Sequence, residues 1–445
     1  MAETTLPLAK TKTHSRFWIL AILFIISTVN YADRSTLSIA GPHVASDLGL
    51  DPLQMGYVFS AFGWAYMLAQ LPGGWLLDRF GSKIVYGFAI FIWSIFTFAQ
   101  GFVHFFASAA MMLFILRFMV GFSEAPVMPA NSRIVSAWFP VRERGTASAI
   151  FNISQYAALV VFNPLLGWIT QEVSWEYVFI VMGMVGMVLS LVWYKTMYSP
   201  MKHPTVSKEE VDYIRDGGGL VNMDDDPSHK KSASGPQFGY VKQLLSSRML
   251  LGIYLANYCV NAITWFFLSW FPIYLVKGRG MSILEAGFIA ALPAVCGCIG
   301  GVLGGVFSDY LLNKGYSLSV ARKTPIILGM LMCSSMVICN YTTSDVVVVA
   351  AMCLAFFGKG VGALGWTVNA DTAPKEIVGL SGGVLNLVTQ IGAITTPIVI
   401  GYILKETGSF DGALLYVVAN GLVVIFSYLF IVGKIQRLEL KPLTA

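Results

Sequence analysis

Apolar runs of about twenty residues, parted by short polar loops, organise this chain. They fall near 17–40, 54–77, 84–104, 107–130, 146–169 and 175–196. After a polar stretch over 197–245, six more fall near 250–275, 285–311, 324–342, 345–370, 379–403 and 412–433. Each is long enough for a helix to cross a bilayer, which takes about 20 residues. A helix also satisfies its own backbone hydrogen bonds in lipid. The pattern predicts an all-α membrane protein of twelve transmembrane helices in two six-helix bundles, with both termini on one side. The expected units are 1–196, a linker over 197–245, and 246–445.

Composition agrees. The 445 residues are 56% hydrophobic and 12% charged, against about 25% charged in a soluble domain. The net charge of +5 is no nucleic-acid footprint, because the basic residues recur between the apolar runs. Of 29 Lys and Arg, 23 lie in the tails and in the loops after spans 2, 4, 6, 8 and 10. Lys277, Arg279 and Lys405 lie in the opposite loops. That bias predicts cytoplasmic termini. The first run is too long for a cleavable signal peptide and lacks a small-residue cleavage site. The six cysteines all fall in apolar runs of the second half without His partners, so they read as small buried side chains rather than a disulfide or metal framework.

Five charges remain inside spans: Asp33, Arg34, Arg117, Glu124 and Lys359. Ionisable residues at that depth cost a few kcal/mol each on insertion scales and mark pathways for ions or solutes. No Ser/His/Asp or metal-ligand constellation accompanies them, and Gly358-Lys359 lacks P-loop spacing. The chain therefore does not read as an enzyme or an ATP-driven pump. Nothing in it suggests the filter-like ring of a channel.

The halves echo each other. Gly74-x-x-x-Asp78 follows span 2, and Gly305-x-x-x-Asp309 follows span 8, 231 residues on. Pro140, Gly145 and Asn152 recur as Pro374, Gly379 and Asn386, 234 residues on, and Pro164 matches Pro397. Such a repeat argues for two pseudo-symmetric bundles with the site between them. It places Glu124 and Lys359 at similar depths on opposite halves. Asn30 maps onto Asn261, whereas Asp33 and Arg34 map onto Thr264 and Trp265. Small residues such as Gly297, Gly300, Gly301, Gly304 and Gly305 predict close helix packing. In the linker, Ser207-x-x-Glu210 reads as a capping box and Gly217-Gly218-Gly219 as a stop. The remainder, with Asp224-Asp225-Asp226 and Lys230-Lys231, reads as a flexible tether.

Gly74-x-x-x-Asp78-Arg79-Phe80-Gly81-Ser82-Lys83 resembles the signature loop of the major facilitator superfamily. Asn30-Tyr31-Ala32-Asp33-Arg34, with Arg117-x6-Glu124-Ala125-Pro126, resembles its anion:cation symporter branch. The likeness covers nearly the whole chain and is strongest to bacterial glucarate/galactarate permeases. It shows at Met55-Gly56-Tyr57-Val58-Phe59-Ser60-Ala61-Phe62-Gly63-Trp64, at Asp371-Thr372-Ala373-Pro374-Lys375-Glu376 and at Glu439-Leu440-Lys441-Pro442. The resemblance implies proton-driven uptake of an acidic sugar by alternating access across the bacterial inner membrane. It implies no cofactor beyond the proton gradient, and the expected state is a monomer. It also implies proton-carrying carboxyls at Asp33 and Glu124, a carboxylate ligand at Arg34, and sugar contacts from Tyr66, Gln155, Trp366 and Asn386.

The residues themselves leave alternatives open. Arg34 suits bidentate carboxylate binding, or a structural ion pair with Asp33 or Glu124. Tyr31 and Asn30 share its helix face. Burial favours a neutral carboxyl and a nearby arginine favours the carboxylate. Asp33 and Glu124 are thus poised for proton coupling or static neutralisation, with Arg117 a conformational partner. Lys359 is placed to hold the second carboxylate of a diacid, or to snorkel toward an interface. Tyr66, Gln155 and Asn386 can bond sugar hydroxyls or the protein, and Trp366 can stack on sugar carbon or pack. Asp78, Arg79 and Lys83 read as a gate latch. The expected function is proton symport of the C6 diacids glucarate and galactarate. The rivals are organic-anion exchange, or symport of a monoacid such as galactonate or a hexuronate.

Overall fold

The computed structural model describes residues 13–222, 238–374 and 377–440, and every regular element among them is helical. Lys10, Lys12, the 224–226 and 230–231 charge runs, Lys375-Glu376 and Lys441-Pro442 lie outside the described residues. In the first half, α1 (Ser15–Asp47), α2 (Pro52–Phe80) and α3 (Ser82–Gln100) are single helices. The fourth span is broken into α4 (Ala109–Glu124) and α5 (Val127–Trp138). Then come α6 (Val141–Glu172) and α7 (Trp175–Thr196). Two short helices, α8 (Lys208–Asp216) and α9 (Phe238–Ser246), precede the second half.

There the seventh span joins α10 (Arg248–Trp265) to the short α11 (Phe271–Ile273), with a π turn before and after α11. It is followed by α12 (Ile283–Asn313) and α13 (Leu318–Cys333). The tenth span is again broken, into α14 (Asp345–Val361) and α15 (Gly365–Thr372). The last spans are α16 (Val378–Thr407) and α17 (Asp411–Phe426).

Eleven of the described spans are both long and apolar enough to cross a bilayer. The twelfth, α2, has 29 residues but carries Gly, Tyr, Trp and Gln where its neighbours carry Leu and Val. Several spans overrun their expected limits. The first passes Pro42 to Asp47, and the fourth reaches Trp138 instead of 130. A proline inside a membrane helix is tolerated when neighbouring helices re-satisfy the backbone, so the loss of one N–H does not end α1.

The two halves meet along two helix pairs, α2 with α16 and α6 with α12. Both pairs close through glycine. A Cβ on Gly56 would lie 2.5 Å from the Pro397 carbonyl oxygen, and one on Gly401 would lie 2.5 Å from that of Pro52. Their repeat counterparts repeat the contact. Gly287 would meet the Asn163 carbonyl oxygen at 2.7 Å, and Gly167 that of Ile283 at 3.0 Å. Beside the first crossing, Lys405 pairs with Asp51 at 3.0 Å. At the corresponding place beside the second, the Leu284 N–H donates to Gln171 Oε1 at 3.1 Å. One end of the molecule, marked by residues 51 and 405, is therefore sealed by backbone-tight contact between the halves. At the opposite end each repeated aspartate engages its own half. Asp78 accepts from Arg133 at 2.6 Å, and Arg322 bridges Asp371 and Asp309 at 2.8 and 3.5 Å.

The linker is not a plain tether over its first part. Ser207 caps α8 by accepting from the Glu210 N–H at 3.2 Å. The return bond of a capping box is replaced by Thr13, whose hydroxyl oxygen accepts from the Ser207 N–H. Glu210, fully buried, reaches across to the start of α1. It accepts from the Ser15 and Arg16 N–H groups, the Thr13 hydroxyl and the Arg16 guanidinium. A carboxylate at a helix N-terminus meets both free N–H donors and the positive end of the dipole. Gly218 takes φ +81, a left-handed conformation suited to glycine, and the Gly217 carbonyl accepts from the Val141 N–H. The stretch 207–221 is thus fastened to the ends of α1 and α6.

Replacing Glu210 with Ala orphans these buried donors and should cost about 1–3 kcal/mol. The checks are a lowered thermal unfolding temperature and faster proteolysis within 200–222. Asp51 should show a pH signature. Its carboxyl is held below the usual range, chiefly by the Gln54 N–H and further by the Lys405 ammonium. A depressed acid stabilises the sealed end above the usual carboxylate pKa, about 3.9, and that contribution is lost as the pH falls through its own lower value. Asp51→Asn should flatten the acid limb of the melting curve by a small loss of stability near pH 7, converging on the wild type at low pH.

Candidate functional site

The five deep charges sort into two poles. The first joins α1 and α4. Glu124 is the last residue of α4 and is fully buried. Its Oε2 accepts from Arg34 Nε at 3.1 Å, and Arg34 Nη2 donates to Asn30 Oδ1 at 3.2 Å. Three rings surround the Arg34 guanidinium: Tyr31 and Phe62, each at 4.8 Å, and Tyr66 at 5.2 Å. Cation–π attraction and the fixed fork of arginine hold the group in place. Tyr31 also directs its hydroxyl to Met128 Sδ at 4.0 Å.

Arg117 forms no ion pair among the described residues. It donates to the backbone carbonyls of Asp33 and Arg34 at 3.0 and 2.7 Å, which ties α4 to α1 one level from the ion pair. Asp33 is 1% exposed. Neither of its carboxyl oxygens has a hydrogen-bond partner among the described residues, and Trp93, whose indole N–H is also unbonded, faces it. Glu124 Oε1 is likewise unpartnered. Removing one member of a buried ion pair costs about 3–5 kcal/mol. Parting Glu124 from Arg34 therefore requires that Glu124 be protonated or that another anion take its place.

The second pole lies in the C-terminal half, around a cavity of about 150 Å³. Asn257, Asn261 and Thr264 of α10, Lys359 of α14, Trp366 of α15 and Thr389 of α16 line it. Lys359 is 6% exposed, with its Nζ 4.9 Å from the Phe356 ring centre. It faces the cavity instead of snorkelling. Glycine contacts press its helix inward: a Cβ on Gly360 would come within 2.3 Å of the Gly297 carbonyl oxygen. Trp366 is 59% exposed and stands at the cavity wall. The poles approach through aromatic rings, because Phe62 beside Arg34 meets Trp265 at 5.9 Å, next to the cavity-lining Thr264. A larger cavity of about 410 Å³ near the 51/405 end carries Lys277 and Arg279 but none of the deep charges.

The remaining expected residues are scattered. Asn386 donates to Gln70 Oε1 at 2.9 Å, bridging α16 to α2. Gln155 donates to the Asn152 carbonyl of its own helix at 3.2 Å. Arg79 lies over Trp75 and Phe80, and Lys83 over Tyr198 at 3.4 Å. Phe62, Trp93, Asn257, Trp265 and Thr389 are not marked as site residues by the sequence, because uncharged residues inside apolar runs give little reason to choose them. The helix breaks beside Glu124 and Lys359 were also missed, although Pro126 and the Gly360-x-Gly362 pair signalled them.

The chain matches the model for the Major Facilitator Superfamily over residues 23–321. It is 57% identical to the Probable galactarate/D-glucarate transporter GudP of Escherichia coli (strain K12), over 97% of this chain and 96% of the relative. It is 58% identical to the protein of the same name in Bacillus subtilis (strain 168), over 97% of this chain and 94% of the relative. Its fold superposes on a crystal structure of a bacterial homolog of the human lysosomal transporter Spinster, with TM-score 0.70 and 17% identity, covering 94% of this chain and 96% of that one. With the repeated helices and the two-pole site of a polytopic carrier, the chain belongs to the Major Facilitator Superfamily of membrane transporters and is not an enzyme.

Proposed function

We propose that this protein takes up sugar diacids of the glucarate/galactarate type together with protons, by alternating access across the bacterial inner membrane. In this reading both termini and the 78/309 end are cytoplasmic, so the sealed 51/405 end is the outer one and the conformation is inward-open. Residues 1–196 and 246–445 move as two bodies of a monomer, and the proton gradient is the sole energy source. The observation that carries the reading is the pair of cationic poles. Arg34 is neutralised by Glu124 at 3.1 Å, and Lys359 faces a cavity on the other half with no carboxylate partner among the described residues. A substrate with a carboxylate at each end suits two such poles, and the names of the close relatives agree.

The chemistry follows from the ion pair. Protonation of Glu124 frees Arg34 for the incoming carboxylate, and deprotonation toward the cytoplasm returns Arg34 to Glu124 and expels the substrate. Asp33 carries a second proton beside Arg117. Two protons with a dianion make the transfer electrically neutral. Tyr31, Tyr66, Gln155, Trp366 and Asn386 contribute hydroxyl and ring contacts as the halves close. Asp78, Arg79 and Lys83 latch the cytoplasmic end in the opposite conformation, and each is engaged within its own half here.

In proteoliposomes, Glu124→Gln should still bind substrate yet fail to concentrate it on an imposed pH gradient. Accumulation by that variant refutes the coupling scheme, and acceleration of wild-type uptake by internal anion would favour exchange. A binding panel on Lys359→Asn should show galactarate and glucarate weakened about tenfold or more, as expected for losing a charge-assisted contact, with galactonate little changed. Equal weakening of all three, or no preference for diacids in the wild type, argues against the assignment.

A further inference from the structure

Spans 4 and 10 break at corresponding depths, but the two breaks are chemically unlike. In the first half the residue before α5 is Pro126, and proline has no N–H to offer. In the second half Gly362-Ala363-Leu364 separates α14 from α15, which opens at Gly365 with no side-chain cap. The first backbone bond into α15 runs from the Val368 N–H to the Leu364 carbonyl. The N–H groups of Gly365, Trp366 and Thr367 lie in the first turn, where a helix supplies no carbonyl partner.

Gly365 and Trp366 border the cavity that holds Lys359, together with Gly362 and Ala363, and the Thr367 N–H points out through the same helix end. Lys359 is 94% buried, with a residue exposure of 6%, and nothing in the described structure accepts a hydrogen bond from its ammonium. A Cβ at Gly365 would fall 1.8 Å from Asn257 Oδ1, so glycine there lets the Asn257 amide lie close against the opening of α15. Asn257 and Asn261 spend their amide N–H groups on the Ile253 and Thr389 carbonyls, at 2.8 and 2.7 Å. Their amide oxygens remain as acceptors for hydroxyl groups. A buried unpaired cation and a free helix N-terminus facing one cavity make a site for an anion, as broken membrane helices do elsewhere.

We infer that the Lys359 ammonium and the N–H groups at the start of α15 form a cradle for the far carboxylate of a diacid whose near carboxylate sits on Arg34. This rests on the diacid reading proposed above and adds the backbone of α15 as a specificity element. Lys359 alone then does not account for the preference, because part of it is carried by backbone N–H groups that survive a substitution of Lys359.

Thr367→Pro deletes one first-turn N–H where proline is tolerated, and Thr367→Ala keeps it. With purified full-length protein, calorimetric titration of Thr367→Pro should show galactarate weakened about tenfold, the loss of one charge-assisted hydrogen bond. Galactonate should change less than about twofold, and Thr367→Ala should match wild type. If Thr367→Pro melts normally and binds galactarate like wild type, or weakens both sugars equally, the cradle is overturned while the diacid reading stands. Hydrogen–deuterium exchange on the wild type gives a second readout that needs no variant. The peptide covering 365–372 should be protected by galactarate and not by galactonate, and equal exchange with both overturns the cradle. A wild type that binds galactarate no more tightly than galactonate sinks the diacid reading and the cradle with it.

Discussion

A charge at bilayer depth needs a counter-charge, and the contact between Arg34 and Glu124 supplies it for the first half of this protein. The local structure is arranged around it. α4 stops at Glu124, which puts an anion at the unfavourable C-terminal end of a helix. Arg34 and its ring of aromatic residues offset that cost. Arg117 spends its guanidinium on the carbonyls of Asp33 and Arg34, so α1 and α4 cannot slide past each other without breaking charge-assisted bonds. The pair is a structural weld, costly to break because both of its charges are desolvated.

The second half shares the scaffold and not the charges. Trp265 stands where the repeat would put Arg34, and Lys359 stands one residue from the counterpart of Glu124. One half is nearly neutral by itself and the other is left cationic. The differing breaks sharpen the contrast, with Pro126 withholding a backbone donor where Gly365 leaves one bare. A duplicated bundle has thus become one face that manages protons and one face open to an anion, under the function proposed.

Much of this was legible in the chain. Spans, repeat and deep charges stand out because lipid tolerates so few polar residues that each exception is visible. Lys359 drew notice for the same reason, and it lines a cavity in its own half. Other features left no such trace. Phe62 and Trp265 join the poles, yet an aromatic residue in an apolar run looks like packing. The break after Val361 is hidden by hydropathy, which glycine barely changes. Glu210 was read as half of a local capping box, whereas its partners Ser15 and Arg16 are 195 and 194 residues away, a separation no short motif encodes. α2 reads as less apolar than the other spans because Gly56, Gly63 and Gly73 serve close helix contact.

The glycine crossings carry a geometric consequence. Gly56 with Gly401, and Gly167 with Gly287, bring backbone against backbone at two separate places, leaving no side chain to act as a compliant cushion. Two rigid bodies pinned at two points keep a single rotation, about the line through both. While the crossings hold, the halves can hinge about that line and are barred from twisting or shearing. Under the function proposed, the far end then opens and closes as one swing, with the deep poles parting by an amount set by their distance from the hinge.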